Sequence, residues 1–248
     1  MRMQNIGRAT PDREHKGINE MKTIKLTLLA AAATLAMGGA AAAQESPISF
    51  NFGVASDYVF RGVSQTDENF QVFGGADIAL TDMAYAGVWA SNVDFNDSTD
   101  AEIDFYVGVT PQAGPVALDF SAIYYAYANA PSNSNYSYWE FAASGTVPAG
   151  PAEIGAAFYY SPDFFGGIGD AYYYEINAAA PINDMFSVSG ALGHQAFDAG
   201  GDYTTWNIGV GVAFNETFGL DLRYHDTNED ALGKLGEGRV VASLTAAF

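Results

Sequence analysis

The sequence predicts an all-β protein, a twelve-stranded antiparallel transmembrane β-barrel preceded by a cleavable signal peptide. Two observations predict the barrel. After residue 44, apolar and polar residues alternate over segments of about ten residues, and the connections between these segments alternate between short and long. A third observation, a basic start followed by an apolar run and small residues, predicts the signal peptide.

The signal peptide is predicted at residues 1–43 and the outer-membrane barrel at residues 44–248. Met21 opens a conventional signal, with an uncharged apolar run and three alanines before the expected cleavage after Ala43. Residues 1–20 are polar, so Met1 is predicted to be a misassigned start. A transmembrane anchor is the alternative, because the uncharged run is about long enough to span a bilayer, but its Ala-rich composition favours a cleaved signal.

The charge after the predicted cleavage site is strongly negative. Four of the ten Lys and Arg residues and 26 of the 29 Asp and Glu residues follow Ala43, which gives a net charge near −22. A chain with this charge repels nucleic acid, so no nucleic-acid partner is expected. The sequence has no cysteine, which excludes disulfides and thiolate metal sites.

Turn residues divide the barrel region into twelve predicted strands. Their ranges are 48–60, 69–80, 83–94, 101–111, 115–127, 136–147, 152–160, 171–180, 186–195, 203–214, 217–226 and 238–248. The even-numbered connections are tight, as in Thr81-Asp82, whereas the odd-numbered ones are longer and more polar, as in "SPDFFGGIGD". Short turns on one side and long loops on the other are typical of bacterial outer-membrane barrels with both termini on the periplasmic side.

The two faces of each strand differ in polarity. In residues 101–110, Phe105 and Val107 share an apolar face, while Glu102 and Asp104 share the other. The apolar face is predicted to contact lipid and the polar face a wet interior. A soluble barrel would turn the apolar face inward, but aromatic residues at the strand ends favour the membrane. The residues assigned to these aromatic belts are Tyr58, Phe60, Tyr124, Trp139, Tyr159, Tyr160, Tyr172 and Trp206.

Three stretches carry a family resemblance: "SDYVFRGVSQT" (56–66), "YAGVWASNVD" (85–94) and "EIDFYVGVT" (102–110). With them the chain resembles the opening of the TorF-family putative porins, proteobacterial outer-membrane proteins of unknown function. The resemblance covers about the first third of the chain after the signal. It implies an outer-membrane barrel that conducts small solutes, and it supplies no functional residues.

The few basic residues point to a candidate constriction. Arg61 at the end of the first predicted strand, Arg223 in the eleventh and Arg239 in the twelfth fall on adjacent strands once the barrel closes. The facing wall carries carboxylates, so a transverse field that orients polar solutes is expected. The candidate pore-lining residues are Asp57, Arg61, Glu102, Asp104, Glu140, Glu175, Asp221, Arg223 and Arg239. Alternatively, the arginines form lumenal salt bridges that neutralise neighbouring carboxylates.

The predicted function is a narrow porin for passive diffusion of small polar solutes in the outer membrane of a Gram-negative bacterium. Its carboxylate excess predicts a preference for cations. The expected partners are outer-membrane lipid and lipopolysaccharide, small polar solutes, and the barrel-assembly machinery through Phe248. No cofactor is expected, and no metal, because the acidic loops lack the spacing of a calcium loop.

Two alternatives to a porin remain at this stage. The first is a closed barrel that serves as a structural anchor. The second is an outer-membrane lipid hydrolase, for which His194 near the outer end of a strand and Ser161 on a neighbouring hairpin are the candidate base and nucleophile. A histidine at the level of the lipid headgroups explains His194 without catalysis, so the sequence favours a protein that is not an enzyme.

Overall fold

The structure is a computed structural model that describes residues 47–248. The predicted signal peptide lies outside the described residues. Residues 47–248 form fifteen strands and one 3₁₀ helix: β1 (Ile48–Ala55), β2 (Val59–Phe60), β3 (Val63–Ser64), β4 (Gln71–Ala79), β5 (Ala84–Asn92), β6 (Ala101–Val109), β7 (Gln112–Ala113), β8 (Val116–Ala128), β9 (Tyr138–Ala149), β10 (Ala152–Ser161), β11 (Ala171–Pro181), β12 (Phe186–Phe197), β13 (Tyr203–Ala213), β14 (Phe218–Thr227), η1 (Asp230–Gly236) and β15 (Arg239–Ala247). In this range no helix is long and apolar enough to cross a membrane.

Twelve of the strands within residues 47–248 close into one antiparallel barrel. Neighbours in sequence pair with each other all the way round, with β6 next to β8, and the seam is formed by β1 and β15. At the seam Val54 lies opposite Leu244. Closure satisfies every strand edge, which a β-structure in hydrocarbon requires. The predicted twelve-stranded antiparallel β-barrel is therefore confirmed.

Eleven of the twelve predicted strands agree with the structure to within two residues at each end. The connections also divide as predicted. Short turns such as 150–151 and 182–185 lie at one end of the barrel, which we call the turn end. Longer segments such as 129–137 and 162–170 lie at the other, which we call the loop end.

The apolar side chains of the wall lie on its outer surface. Phe105, Val107, Val210 and Leu244 have 52%, 50%, 42% and 44% of their surface exposed. Their neighbours Glu102 and Asp104 are buried on the inner side. Large exposed apolar residues around a whole barrel suit contact with lipid, and they would be unfavourable in water.

The first predicted strand is wrong at its end, because β1 stops at Ala55. Residues 56–69 turn into the lumen and form a small separate hairpin, in which β2 pairs with β3. We call this segment the inner hairpin. Its residues Tyr58, Val59 and Thr66 are 5%, 2% and 0% exposed, so the hairpin is enclosed by the wall.

Candidate functional site

Arg61 lies at the tip of the inner hairpin and reaches the wall formed by β9–β12. Its Nη2 donates a hydrogen bond to Glu140 Oε1 at 2.8 Å, and its Nη1 donates to Gln195 Oε1 at 3.0 Å. Its Cζ lies 4.8 Å from the ring centre of Tyr159 and 4.3 Å from that of Tyr173. The prediction that Arg61 belongs to the wall of the first strand is therefore wrong.

These four partners define a pocket that we call the Arg61 cage: Glu140, Tyr159, Tyr173 and Gln195. They come from four consecutive strands, β9, β10, β11 and β12, and each points inward because it falls on the inner parity of its strand. The side chains of Arg61 and Glu140 are 2% and 1% exposed, so their ion pair is shielded from water. A guanidinium between two aromatic faces and a carboxylate is held by cation–π attraction and a charge-assisted hydrogen bond.

The backbone at the hairpin tip is strained. Arg61 has φ of 47°, and Gly62 follows with φ of 85°. A Cβ at position 62 would lie 2.3 Å from Thr205 Oγ1, so the tip needs glycine both for its conformation and for its close approach to β13. A left-handed arginine costs of order 1 kcal/mol or more, which the contacts of its side chain offset.

The base of the inner hairpin is fixed by Asp57. Its Oδ1 accepts hydrogen bonds from Ser64 Oγ at 2.7 Å and Thr66 Oγ1 at 2.8 Å. Its Oδ2 accepts from Arg239 Nη1 of β15 at 2.9 Å. Asp57 therefore joins the two arms of the hairpin to each other and to the barrel seam.

Further carboxylates line the inner face at the height of the hairpin. Glu102 Oε1 accepts a hydrogen bond from the hydroxyl of Tyr58 at 2.7 Å. Glu175 accepts from Tyr173 at 2.9 Å. Asp104 is 0% exposed and neither of its oxygens has a hydrogen-bond partner. Asp104 is thus a buried polar group whose hydrogen-bonding capacity is unused.

Arg223 lies on the inner face of β14, with 2% of its side chain exposed. It forms two hydrogen bonds of 3.0 Å with Asp221, and its Nη1 donates to Asn207 at 2.6 Å. A Cβ at Gly209 would lie 2.8 Å from its Cζ, so the guanidinium packs on the bare backbone of β13. Arg223 is fully paired within its own wall.

All nine sequence-predicted site residues lie inside the barrel, on the wall or on the inner hairpin. They do not form a basic wall that faces an acidic one. Arg61 pairs with Glu140, Arg223 with Asp221, and Arg239 with Asp57. These ion pairs agree with the alternative prediction, in which the arginines form salt bridges in the lumen with neighbouring carboxylates.

The turn end of the lumen has a different character, and we call it the vestibule. Asp77 and Asp119 are only partly buried there, and they accept hydrogen bonds from Tyr106 at 2.6 Å and Tyr85 at 2.9 Å. Small residues such as Ser121 occupy neighbouring inward positions. Two charged groups therefore face a space that remains accessible to solvent.

The loop end is covered by aromatic side chains, the aromatic cap: Phe95, Tyr127, Tyr136, Phe164 and Phe165. The rings of Tyr136 and Phe165 are stacked, with their centres 4.2 Å apart. Phe95 packs edge-on against Phe165, with a distance of 5.3 Å between ring centres. Below them, Phe164 contacts Tyr138 of the wall at 4.8 Å. These contacts join the loops 93–100, 129–137 and 162–170 across the opening.

Two polar contacts outside the wall tie the loops down. Tyr136 donates to Asp97 Oδ2 at 2.8 Å, which raises the pKa of the tyrosine. Hydrogen bonds from Thr99 lower the pKa of Asp97. Lys234 of η1 forms an ion pair of 2.5 Å with Asp67 of the inner hairpin, and this contact lowers the pKa of Asp67 and raises that of Lys234.

Several residues of the site were not found from the sequence. Tyr58, Phe60 and Tyr159 were assigned to the aromatic belts, but their side chains make contacts inside the lumen. Tyr58 donates a hydrogen bond to Glu102, and Tyr159 stacks on the guanidinium of Arg61. The ring centre of Phe60 lies 4.6 Å from Arg61 Cζ. Gln195 was not singled out at all. Strict alternation along β10 would have put Tyr159 on the inner face together with Gly155.

The candidate hydrolase pair is not brought together. Ser161 is 0% exposed on the lumen side of β10. His194 is exposed on the lipid side of β12, where its Nδ1 lies 3.1 Å from Thr204 Oγ1. The two side chains lie on opposite faces of the wall, so they cannot act as nucleophile and base. Within residues 47–248, no group of three or more His, Cys, Asp or Glu residues is arranged to hold a metal ion.

The barrel is similar to solved outer-membrane porins. The KdgM porin matches with a TM-score of 0.57 at 5% identity over 81% of this chain and 98% of that one. The NanC porin matches with a TM-score of 0.55 at 8% identity over 81% and 98%. An outer membrane channel from Pseudomonas putida F1 matches with a TM-score of 0.51 at 10% identity over 82% and 96%. At these identities the likeness shows a shared fold, which is that of bacterial outer-membrane barrels.

No curated protein matches the chain. One family model does, that of a bacterial protein of unknown function named Gcw_chp, and it matches residues 39–248. The match extends over the whole barrel, including the inner hairpin and the cage. The chain therefore belongs to the Gcw_chp family of bacterial proteins of unknown function.

Proposed function

We propose that the protein is a porin of the Gram-negative outer membrane that passes small polar solutes and prefers cations. The observation that carries this proposal is a closed barrel with an apolar outer face and a polar lumen in which carboxylates outnumber basic groups. A solute that leaves water needs polar groups along its path, and an excess of carboxylates lowers the energy of a cation there. The fold shared with porins supports the same function.

The inner hairpin is enclosed by the wall at the loop end, whereas Asp77 and Asp119 in the vestibule are partly exposed. We therefore propose that conduction requires the hairpin to shift from the position described here and the aromatic cap above it to part. The loop end would face outside the cell and the turn end the periplasm, as in other outer-membrane barrels. Entry into this membrane implies export with the predicted signal peptide removed.

Two further lines support the proposal. The stretches of 56–66, 85–94 and 102–110 resemble the TorF-family putative porins. Phe248 has 64% of its surface exposed, and its backbone pairs with Phe50 at the seam, which suits recognition of the last strand by the barrel-assembly machinery. The outer surface would contact lipid and lipopolysaccharide.

The charge of the lumen argues against an anionic solute. The KdgM porin has been solved in complex with oligogalacturonate, which is a polyanion. The vestibule here has two partly exposed carboxylates, Asp77 and Asp119, that form no ion pair with a basic residue among residues 47–248. These charges would repel a polyanion and attract cations.

The experiment is single-channel recording of the purified protein in planar bilayers, together with reversal potentials under a salt gradient. A matched variant replaces residues 58–66 with a Gly-Ser linker of the same length. We expect small, cation-selective events for the native protein and larger, more frequent ones for the variant. The absence of conductance in both the native protein and the variant would contradict the proposal.

Such an outcome would favour the second candidate, a non-conducting structural anchor. The filled loop end favours this candidate, because a permanently inserted hairpin would block the lumen. The charge at Arg239 gives a separate test: Arg239→Glu should raise cation selectivity, and unchanged reversal potentials would count against a role of this arginine in selectivity.

A further inference from the structure

The Arg61 cage has the composition of a binding site for a guanidinium group. It offers two aromatic faces within 5 Å of the guanidinium carbon, one carboxylate and one amide oxygen. Arg61 prefers such partners because its planar group stacks on rings and donates to acceptors in its plane. All four cage residues belong to the barrel wall, so the cage exists independently of the hairpin that fills it.

Arg61, which occupies the cage, belongs to the inner hairpin and not to the barrel wall. β2 and β3 pair only with each other. The hairpin backbone bonds to the rest of the protein near its two ends: Ser56 N donates to Ala242 O at 2.9 Å, and Gln65 O accepts from Asp94 N at 2.8 Å. Along the hairpin, side chains such as Tyr58 and Asp57 make the other attachments. The tip is thus held chiefly by Arg61 itself.

Arg61 is an imperfect occupant. Its Nε is buried without a hydrogen-bond partner. It reaches its cage from a left-handed backbone conformation with φ of 47°. A free guanidinium can donate to Glu140 and Gln195 as Arg61 does, without a left-handed backbone and with freedom to turn its remaining N–H groups toward an acceptor.

We propose that the Arg61 cage is a solute-binding site for guanidino compounds, and that Arg61 is a built-in ligand which such a solute displaces to release the inner hairpin. The barrel would then be opened by its own solute. The carboxylates Asp77 and Asp119 in the vestibule attract the cation on one side of the cage. The link between binding and opening rests on the proposed porin function, whereas the binding site does not.

Binding is tested with ethylguanidinium chloride, with ethylurea as the uncharged probe of nearly the same shape. Calorimetric titrations compare the detergent-solubilised native protein, Arg61→Ala, and Arg61→Ala combined with Glu140→Gln. We expect saturable binding of ethylguanidinium to Arg61→Ala, at least about tenfold weaker binding to the native protein because Arg61 competes, and loss of binding in the double variant. Ethylurea should bind to none of them.

Equal binding by the native protein and Arg61→Ala, or undiminished binding by the double variant, would overturn the proposal. Should Arg61→Ala not fold, the native channel supplies the second measurement. Ethylguanidinium should increase its open time in planar bilayers, ethylurea and sodium chloride of equal ionic strength should not, and an equal effect of all three would overturn the proposal.

The two proposals fail in different ways. A protein that conducts ions but never binds ethylguanidinium refutes the cage as a solute site and leaves the porin function intact. A protein whose Arg61→Ala variant binds ethylguanidinium, but which conducts in neither the native nor the hairpin-replaced form, refutes the porin function and leaves the cage as a binding site.

Discussion

Replacing Arg61 with methionine should release the inner hairpin. The substitution keeps much of the side-chain volume but leaves Glu140, which is 1% exposed, without its partner. Removing one partner of a buried ion pair costs about 3–5 kcal/mol. The strand pairs of the barrel do not involve the hairpin, so this cost applies to the closed position of the hairpin and not to the barrel itself.

A change of 3–5 kcal/mol alters an equilibrium by roughly 150-fold to 4,000-fold. Single-channel recording measures it as the ratio of open to closed time, and limited proteolysis within 56–69 measures it independently. The combination of Arg61→Met with Glu140→Gln removes the stranded charge, so it should remain closed more of the time than Arg61→Met alone. If the combined variant opens as much as the single one, the buried charge of Glu140 does not hold the hairpin and the reasoning is refuted.

The other three predictions concern the cage, the loops and the vestibule. Gly193→Ala should push the ring of Tyr173 out of the cage and increase opening, because the new Cβ would lie 2.0 Å from the Tyr173 hydroxyl and such overpacking costs about 1–3 kcal/mol. The ion pair of Lys234 and Asp67 should hold the hairpin to η1 at full strength between their ordinary pKa values of 3.8 and 10.5. Channel opening should increase when the pH falls through the lowered pKa of Asp67, because the carboxylate is then neutralised. It should also increase when the pH rises through the raised pKa of Lys234, because the ammonium group is then neutralised. Asp119→Asn should reduce the cation-to-anion permeability ratio, with up to about a fivefold loss in cation permeability, since a unit charge at 4 Å in water contributes about 1 kcal/mol.

Each of these has a matched control. Gly219→Ala adds the same methyl group to a strand where the nearest atom is 3.5 Å away, and equal effects at both glycines would contradict a specific role for the Tyr173 ring. Lys234→Met should abolish the alkaline limb of the pH profile, and a limb that persists would assign it to another group. Asp82→Asn changes a charge in an exposed turn, so it should leave the permeability ratio unchanged if the vestibule sets it.

The wall could be predicted from the sequence because a membrane barrel imposes a strict rule on every strand. Lipid on one side and water on the other enforce a period of two, which is visible in single strands such as 101–109. The same rule fails for the inner hairpin. Residues 56–60 continue the alternation of β1, and a Tyr or Phe enclosed in the lumen has the same local pattern as one in an aromatic belt.

The pairing within the site could not be derived from the sequence either. Arg61 and Glu140 are separated by 79 residues, and their meeting depends on how far the hairpin reaches across the lumen. Alternation fixes the face of Glu140 but not the partner of its carboxylate. Gly62 was a weak signal, since an isolated glycine in a strand pattern suggests a bulge or a close backbone approach, but Gly53 within β1 follows a bulky residue in the same way.

The seam between β1 and β15 has a consequence for how the protein reaches its membrane. Phe50 and Phe248 exchange two backbone hydrogen bonds of 3.0 and 2.9 Å, so the first and last strands of the described chain pair with each other and close the barrel. Any partial set of strands would leave two open edges in hydrocarbon, where water cannot satisfy them. We therefore expect a chain that lacks the final strand to insert poorly by itself and to associate with other copies through its open edges.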